Sequence, residues 1–231
     1  MKFCSQCGGA LEHVVPEGDD RERARCPACG TVHYENPRTI VGCLVEHVAG
    51  GRARVLLCRR AIEPGKNLWT LPAGFLELDE GAVAGARRET REEALAEVDV
   101  QAPHAFLDLP HIGQTYAMFR ARLVGGRHGA GQETLETRLY ELADVPWDEL
   151  AFPVVNCALE LYAADRRAGV ARLHHGVLHW NGRGDKFAWA NYELREHIAV
   201  ELAHGDLVPD APGGPNLPDR DAPLSDGPRA R

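Results

Sequence analysis

No run of apolar residues in this 231-residue sequence approaches the roughly 18 that a membrane-spanning helix requires. The first residues, MKFCSQCGG, also lack the apolar core of a signal peptide. Basic residues are in deficit, because 26 lysines and arginines stand against 34 aspartates and glutamates, a net charge of −8. That charge disfavours general attraction to nucleic acid or to anionic membranes. We therefore expect a cytoplasmic protein with neither a membrane nor a nucleic acid as its partner.

Four of the seven cysteines form two Cys-x2-Cys pairs near the start of the chain, Cys4 with Cys7 and Cys26 with Cys29, with 18 residues between the pairs. Two such pairs can direct four thiolates at one tetrahedral Zn²⁺ ion. The alternatives, disulfides or a redox motif, fit poorly with the expected location. Four sulfur ligands leave no open position for water or substrate, so we predict a structural zinc site. His33 is not needed as a ligand.

The segment that holds these cysteines, residues 1–35, resembles a zinc ribbon. It is too short to bury enough apolar surface to fold unaided, so we expect the metal to stabilise it. Zinc ribbons often bind nucleic acid, but this one has four Lys and Arg residues against six Asp and Glu residues. The balance favours a role in packing or in forming a dimer.

Beyond residue 36 the pattern alternates between strands and helices. Apolar runs predict strands at residues 39–45 and 54–58, and residues 81–97 are compatible with a long helix. Further strands are predicted at residues 98–109, 116–123 and 135–142. This order predicts an α/β fold in which helices cover a mixed sheet.

The C-terminal part of the chain has weaker signals. Residues 155–167 predict a helix, and the spacing of Leu194, Ile198 and Leu202 by four residues predicts a second helix. The cluster His174, His175 and His179 is expected to have a surface or interface role. From Gly205 onward, six prolines and four glycines in 27 residues predict a disordered tail.

These patterns divide the chain into four predicted parts. We assign residues 1–35 to the zinc ribbon, 36–153 to the α/β domain, 154–204 to a C-terminal helical extension and 205–231 to the disordered tail.

The stretch RRETREEA, residues 87–94, places Glu89, Glu92 and Glu93 on one helical face, because positions i, i+3 and i+4 lie together. Like charges at this spacing repel one another, and a divalent cation would remove that repulsion. Mg²⁺ prefers hard oxygen ligands such as carboxylates. The pattern therefore predicts a Mg²⁺ (or Mn²⁺) site. The alternative is a solvated charged helix in which Arg88 pairs with Glu92.

Residues 74–96, GFLELDEGAVAGARRETREEALA, resemble the Nudix box, G-x5-E-x7-R-E-U-x-E-E-x-G-U, where U is a bulky aliphatic residue. Six fixed positions of the box match this sequence: Gly74, Glu80, Arg88, Glu89, Glu92 and Glu93. Leu95 stands where the family has a second glycine. Because that glycine normally ends the helix, we expect the helix to continue for another turn.

The resemblance covers roughly residues 36–153 and implies a Nudix fold, with a mixed β-sheet between helices. It also implies Mg²⁺-dependent hydrolysis of a diphosphate bond. In the family pattern Glu89, Glu92 and Glu93 bind the metal together with the backbone carbonyl of Gly74. Arg88 and Glu80 hold those ligands in place.

Further site residues are predicted outside the box. Glu136, or with less support Glu133, lies just before or within a later predicted strand and is a candidate general base or metal ligand, with a solvated strand edge as the alternative. Arg59 and Arg60 adjoin a predicted strand, so alternation should direct one of them toward the cleft, where it can contact phosphate. Trp69, Phe75 and Tyr116 are candidates for stacking on a base, although buried aromatic residues are more common.

The segments HYENP, LLCRRAIEP and WTLPAGF, which follow the ribbon, are similar to a bacterial branch of the Nudix family described as ADP-ribose or FAD pyrophosphatases. The implied products include AMP, and a homodimer is expected from the family. One alternative is an NADH pyrophosphatase that also removes NAD caps from RNA. That group has a signature like SQPWPFPxS, which HAFLDLPHIGQTYAMF does not match. The other alternative is a regulator that binds a nucleotide without cleaving it.

Overall fold

The computed structural model describes residues 1–202, and the predicted disordered tail at residues 205–231 lies outside this range. Within it the chain forms twelve β-strands and two α-helices. The strands are β1 (Glu12–Val14), β2 (Arg23–Arg25), β3 (Val32–His33), β4 (Arg38–Ala49), β5 (Arg52–Arg60), β6 (Trp69–Thr70), β7 (Ala73–Phe75), β8 (Val98–Leu109), β9 (Gln114–Leu123), β10 (Thr134–Glu141), β11 (Arg172–Trp180) and β12 (Tyr192–Glu201). The helices are α1 (Ala82–Ala94) and α2 (Pro153–Ala168). Neither helix is long and apolar enough to cross a membrane.

The N-terminal module is a small antiparallel sheet in the order β1-β2-β3. Each Cys-x2-Cys pair forms a tight turn in which a glycine N–H donates to the carbonyl of the first cysteine. Gly8 donates to Cys4 at 2.9 Å, and Gly30 donates to Cys26 at 2.8 Å. Both glycines have positive φ angles, which suit a residue without a Cβ.

The main sheet has the order β10-β5-β4-β9-β8-β11-β12, with β6 paired to β5 and β7 paired to β4. Two neighbouring pairs, β4 with β9 and β8 with β11, are parallel, and the other pairs are antiparallel. The predicted mixed sheet of an α/β fold is therefore confirmed.

One helix covers each face of the sheet. Strand alternation sends Val41 and Cys43 toward α1, where they join Ala86 in one apolar cluster. Leu44 points to the other face and joins Leu159 of α2 in a second, larger cluster. The sheet thus lies between two helices, as the resemblance implied.

Helix α1 ends at Ala94, so the expected extra turn is absent. Leu95 caps the helix in the left-handed conformation, with φ 47° and ψ 33°, and its N–H donates to the carbonyl of Arg91 at 3.0 Å. The N–H of Gly129 donates to the carbonyl of Ala94 at 2.7 Å. A later loop therefore satisfies a free carbonyl at the end of α1, and the helix ends without the glycine cap of the family pattern.

The second C-terminal helix was wrongly predicted, because residues 192–201 form strand β12. This strand pairs with β11 in an antiparallel hairpin, with Leu178 opposite Leu194 and His175 opposite Ile198. A spacing of four residues also keeps side chains on one face of a strand, so the apolar pattern fitted both structures. The division of the chain at residue 153 stays a prediction.

A buried network connects this hairpin to α2. His174 is 3% exposed, and its Nε2 lies 3.2 Å from Oδ2 of Asp165. Asp165 also accepts hydrogen bonds from the backbone N–H of Arg172 at 2.9 Å and from its guanidinium at 3.0 Å. His104 is also buried and donates from Nε2 to the carbonyl of Ala158 at 2.9 Å. The expected surface role is therefore wrong for His174.

Acid should destabilise this fold through His104. Complete burial is the main reason that the pKa of His104 is lowered to about 4. In the unfolded chain a histidine has a pKa of about 6.5, so the unfolded state takes up the proton first as the pH falls. We expect this group to lower the free energy of unfolding by on the order of 3 kcal/mol between pH 6.5 and about pH 4. Urea unfolding across this window measures the loss. A His104→Gln variant with undiminished acid sensitivity would contradict it.

Candidate active site

The carboxylates of α1 face an open groove of about 1240 Å³, which we call the acidic groove. Its walls come from α1, from β7 and from loop residues near 60–64 and 130–133. Glu89, Glu92 and Glu93 all line it. Glu93 is buried, whereas Glu92 is exposed. The three glutamates predicted to share a helix face are therefore brought together at one cavity.

Strand β7 fixes two of these glutamates from the opposite wall. The N–H of Ala73 donates to Oε2 of Glu93 at 2.9 Å. A Cβ built on Gly74 would lie 2.3 Å from Oε2 of Glu89. Only glycine at this position leaves room for that carboxylate.

The guanidinium of Arg88 connects the carboxylates to one another. Its Nε and Nη2 donate to the two oxygens of Glu80 at 3.1 and 2.6 Å, and Nη2 also donates to the carbonyl of Phe75 at 3.1 Å. Its Nη1 donates to Glu89 at 2.7 Å and to Glu92 at 3.3 Å. The paired bonds raise the pKa of Arg88 and lower that of Glu80. Arg88 therefore stays charged and offsets part of the repulsion between the neighbouring carboxylates.

Burial disfavours the ionised form of two of the carboxylates. Burial raises the pKa of Glu93 to about 7, and burial also raises the pKa of Glu89. A cation next to both groups would favour their ionised forms. Magnesium and manganese prefer carboxylate and carbonyl oxygens. The donor set, with the open backbone at Gly74 beside it, therefore fits a hard divalent cation.

The four cysteines of the N-terminal module form a separate cluster. The Sγ atoms of Cys4 and Cys29 lie 3.7 Å apart, those of Cys7 and Cys26 lie 3.5 Å apart, and all four lie within 4.8 Å of one another. Sulfur atoms bound tetrahedrally at about 2.3 Å from zinc lie about 3.8 Å apart, so the cluster fits Zn²⁺. Nε2 of His33 lies 3.4 Å from Sγ of Cys4, where it can donate to a thiolate ligand.

A second cavity, of about 420 Å³, adjoins the acidic groove, and we call it the aromatic pocket. Arg60, Pro64 and the three residues of β7 line both cavities, so one ligand can reach both. None of the described residues that line the aromatic pocket is an Asp or Glu. Its aromatic and cationic side chains are Phe75, His111, Tyr116, Phe152, Phe187 and Tyr192, with Arg38, Arg60 and Lys186.

The residues predicted outside the box divide into two groups. Arg60, Phe75 and Glu133 line the acidic groove. Arg59 and Glu136 do not line either cavity, because they face each other across β5 and β10, with Nη1 of Arg59 3.2 Å from Oε1 of Glu136. Of the two arginines, Arg60 therefore lies at the groove and Arg59 lies away from it, and Glu136 is not brought to the groove, where it was expected.

Several residues of the aromatic pocket were missed from the sequence. Arg38, Phe152 and Tyr192 come from three distant segments, and nothing in the local pattern marks them. Lys186 and Phe187 offered a weak signal, because a cation and an aromatic residue stand together in the turn-rich stretch NGRGDKF.

Replacing Gly74 with alanine should disrupt the site without harming the fold. The new Cβ would displace the carboxylate of Glu89, and a misplacement of about 1 Å can reduce rates on the order of a hundredfold. Gly81→Ala is the matched control, since a Cβ at Gly81 meets nothing within 4 Å. We expect kcat/KM for diphosphate hydrolysis to fall about a hundredfold in Gly74→Ala and to change little in Gly81→Ala. Equal rates in both variants would contradict the close contact.

Two protein-family models match consecutive parts of this chain. A family model described as Nudix N-terminal, a zinc ribbon, matches residues 2–35, and the NUDIX domain model matches residues 36–160. A crystal structure of a NUDIX hydrolase from Nitrosomonas europaea is 47% identical, with a TM-score of 0.72, and the match covers 77% of this chain and 98% of that chain.

More distant structures also match. An Ap4A hydrolase from C. elegans is 20% identical, with a TM-score of 0.48 and coverage of 57% of this chain and 98% of that chain. An ADP-ribose pyrophosphatase from Streptococcus suis is 23% identical, with a TM-score of 0.43 and coverage of 56% of this chain and 92% of that chain. A search of curated proteins found no match. The NUDIX domain model spans more than half of the chain, and the chain therefore belongs to the Nudix hydrolase family.

Proposed function

We propose that this protein hydrolyses the diphosphate bond of a nucleoside diphosphate linked to a second group. ADP-ribose and FAD are the candidate substrates, and both would release AMP. The observation that carries the proposal is the position of the carboxylates. Glu89, Glu92 and Glu93 line one groove, and that groove opens onto a pocket suited to an aromatic group.

The catalytic cation in this proposal is Mg²⁺ or Mn²⁺. Glu89, Glu92 and Glu93 would hold it, together with the backbone carbonyl of Gly74. When bound, the cation supplies positive charge that offsets the charge of the diphosphate and of the leaving oxygen. Arg88 keeps the ligands in position through its bonds to the carboxylates. We likewise assign Zn²⁺ to the four cysteines, in a structural role.

Two further residues act on the substrate in this proposal. Glu133 lines the acidic groove, and its carboxylate can accept a proton from the attacking water. Glu136 is less suited to this task because Arg59 already holds it. Arg60 lies where the two cavities meet, so its guanidinium can pair with a phosphate oxygen.

The size of the aromatic pocket supports a nucleotide substrate. Its volume of about 420 Å³ lies within the range of about 300–1,000 Å³ that is usual for small-molecule sites. A diphosphate over the acidic groove would place one attached group in this pocket, because the cavities share a wall.

Incubation of the purified protein with Mg²⁺ and with ADP-ribose, FAD or NADH tests the proposal. We expect AMP and ribose 5-phosphate from ADP-ribose, and AMP and FMN from FAD. Reduced NMN (NMNH) as the preferred product, formed with AMP from NADH, would favour the NADH pyrophosphatase instead. Failure to cleave any of the three would reject this substrate class.

A further inference from the structure

The β11–β12 hairpin closes one side of the aromatic pocket. Lys186 and Phe187 lie in the segment that connects the two strands, and Tyr192 begins β12. All three line the pocket, yet they lie beyond residues 36–160, which the NUDIX domain model matches. The C-terminal part of this chain therefore completes a cavity whose other walls belong to the matched domain.

Specific contacts hold the connecting segment at the pocket. The hydroxyl of Tyr192 donates to the carbonyl of Lys186 at 2.8 Å and lies 3.0 Å from Nε2 of His111. The ring of Phe187 lies 6.3 Å from that of Phe152, measured between centroids. The N–H of Phe187 donates to Oδ1 of Asp185 at 2.9 Å. The connecting segment is thus held by hydrogen bonds within the hairpin and by contacts with His111 and Phe152 of the matched domain.

The chemistry of the pocket favours a flat ring next to negative charge. The guanidinium of Arg38 lies 5.2 Å from the Phe75 ring centroid, and the ammonium of Lys186 lies 5.7 Å from that of Phe187. Among the described residues, none that lines this pocket carries a carboxylate, although the whole chain has a net charge of −8. Aromatic rings stack on heterocycles, and cations attract phosphate.

We propose that the β11–β12 hairpin is the specificity element of this enzyme, in which Lys186 and Phe187 bind a planar heterocycle attached to a phosphate. This inference rests on the proposed function, because the acidic groove next to the pocket would hold the diphosphate. The heterocycle is either the adenine or the flavin half of the substrate. Phe187 contacts its face, and Lys186 neutralises the attached phosphate.

Binding of AMP and of FMN to the full chain is measured by calorimetry without a catalytic metal. The nucleotide that binds shows whether the pocket takes the adenine or the flavin half of the substrate. We expect Phe187→Ala to weaken the binding of one of these nucleotides about tenfold, which is typical of losing one stacking contact. Lys186→Ala removes a cation next to the phosphate and should weaken binding by a similar factor. The same variants should raise KM for ADP-ribose or FAD by a similar factor and leave kcat within about threefold. Phe3→Ala is the matched control, because Phe3 is exposed and lines neither cavity.

The outcomes separate this inference from the proposed function. Hydrolysis with an unchanged KM and unchanged nucleotide binding in both variants would overturn the hairpin's role and leave the proposed function intact. Weakened nucleotide binding in a protein that cleaves no substrate would support the hairpin's role and reject the proposed function. Wild-type protein that binds neither AMP nor FMN would overturn the inference. Both substituted side chains are exposed, and circular dichroism checks that the variants fold.

Discussion

Replacing Glu92 with glutamine is expected to lower kcat for diphosphate hydrolysis by about a hundredfold to a thousandfold. The side chain of Glu92 is 59% exposed and its contact with Arg88 is long, at 3.3 Å, so little stability depends on it. A neutral amide has nearly the same shape as the carboxylate but cannot balance the charge of a divalent cation. The loss should therefore appear in activity and not in folding.

Steady-state rates with saturating Mg²⁺ measure this effect, and Glu97→Gln is the matched control. Glu97 is similarly exposed, at 64%, and pairs with Arg91 at 2.8 Å, but it does not line the acidic groove. It should retain wild-type activity. If Glu92→Gln and Glu97→Gln hydrolyse substrate equally well, then the carboxylates of α1 are only a solvated helix surface.

Removal of zinc should unfold the N-terminal module. The strands β1–β3 contain only two or three residues each, so they cannot supply an independent core. Binding of a structural zinc ion contributes on the order of 10 kcal/mol to the folding of such modules. We expect Cys26→Ser, at a fully buried position, to lose the metal and to expose residues 1–35 to proteolysis.

Metal analysis combined with limited proteolysis checks this result. The wild-type protein should contain one zinc ion per chain, and Cys157→Ala should retain it because Cys157 lies in α2, within the main core. A metal-free Cys26→Ser protein whose first 35 residues resist protease as well as wild type would show that the ribbon does not need zinc.

The sequence predicted the box helix and its acidic face because both depend on local spacing. It failed at the end of the helix, where Leu95 occupies a conformation that favours glycine. The helix ends there because a loop caps it: the N–H groups of Gly129 and Gly131 donate to the carbonyls of Ala94 and Glu93 at 2.7 and 3.1 Å. Such capping comes from a segment more than 30 residues away, and no local pattern contains it.

Alternation predicted that one of Arg59 and Arg60 would face the cleft, but it could not say which; in the structure Arg60 lines the acidic groove and Arg59 does not. The answer depends on tertiary structure, because Arg59 pairs with Glu136 of the neighbouring strand β10. Glu133 precedes β10, in the loop that lines the groove.

The C-terminal hairpin could not be distinguished from a helix by apolar spacing alone. A four-residue spacing keeps side chains on one face of a helix or of a regular strand, and pairing with β11 decided the outcome. In β12 the register shift between His175 and Val177 places Leu194 and Ile198 on opposite faces. The aromatic pocket was unpredictable for the same reason. Its residues meet only after β11 joins the edge of the sheet beside β8.

The contacts of strand β7 have a consequence for how the site assembles. Each of its three residues contacts a different side chain of α1. The N–H of Ala73 donates to Glu93, Gly74 leaves room for the carboxylate of Glu89, and the carbonyl of Phe75 accepts a hydrogen bond from Arg88. A slip of β7 by one residue along β4 would break all three contacts together. We therefore expect the three contacts to form together during folding, in one cooperative step with the pairing of β7 and β4. A folded protein in which only some of them are present is not expected.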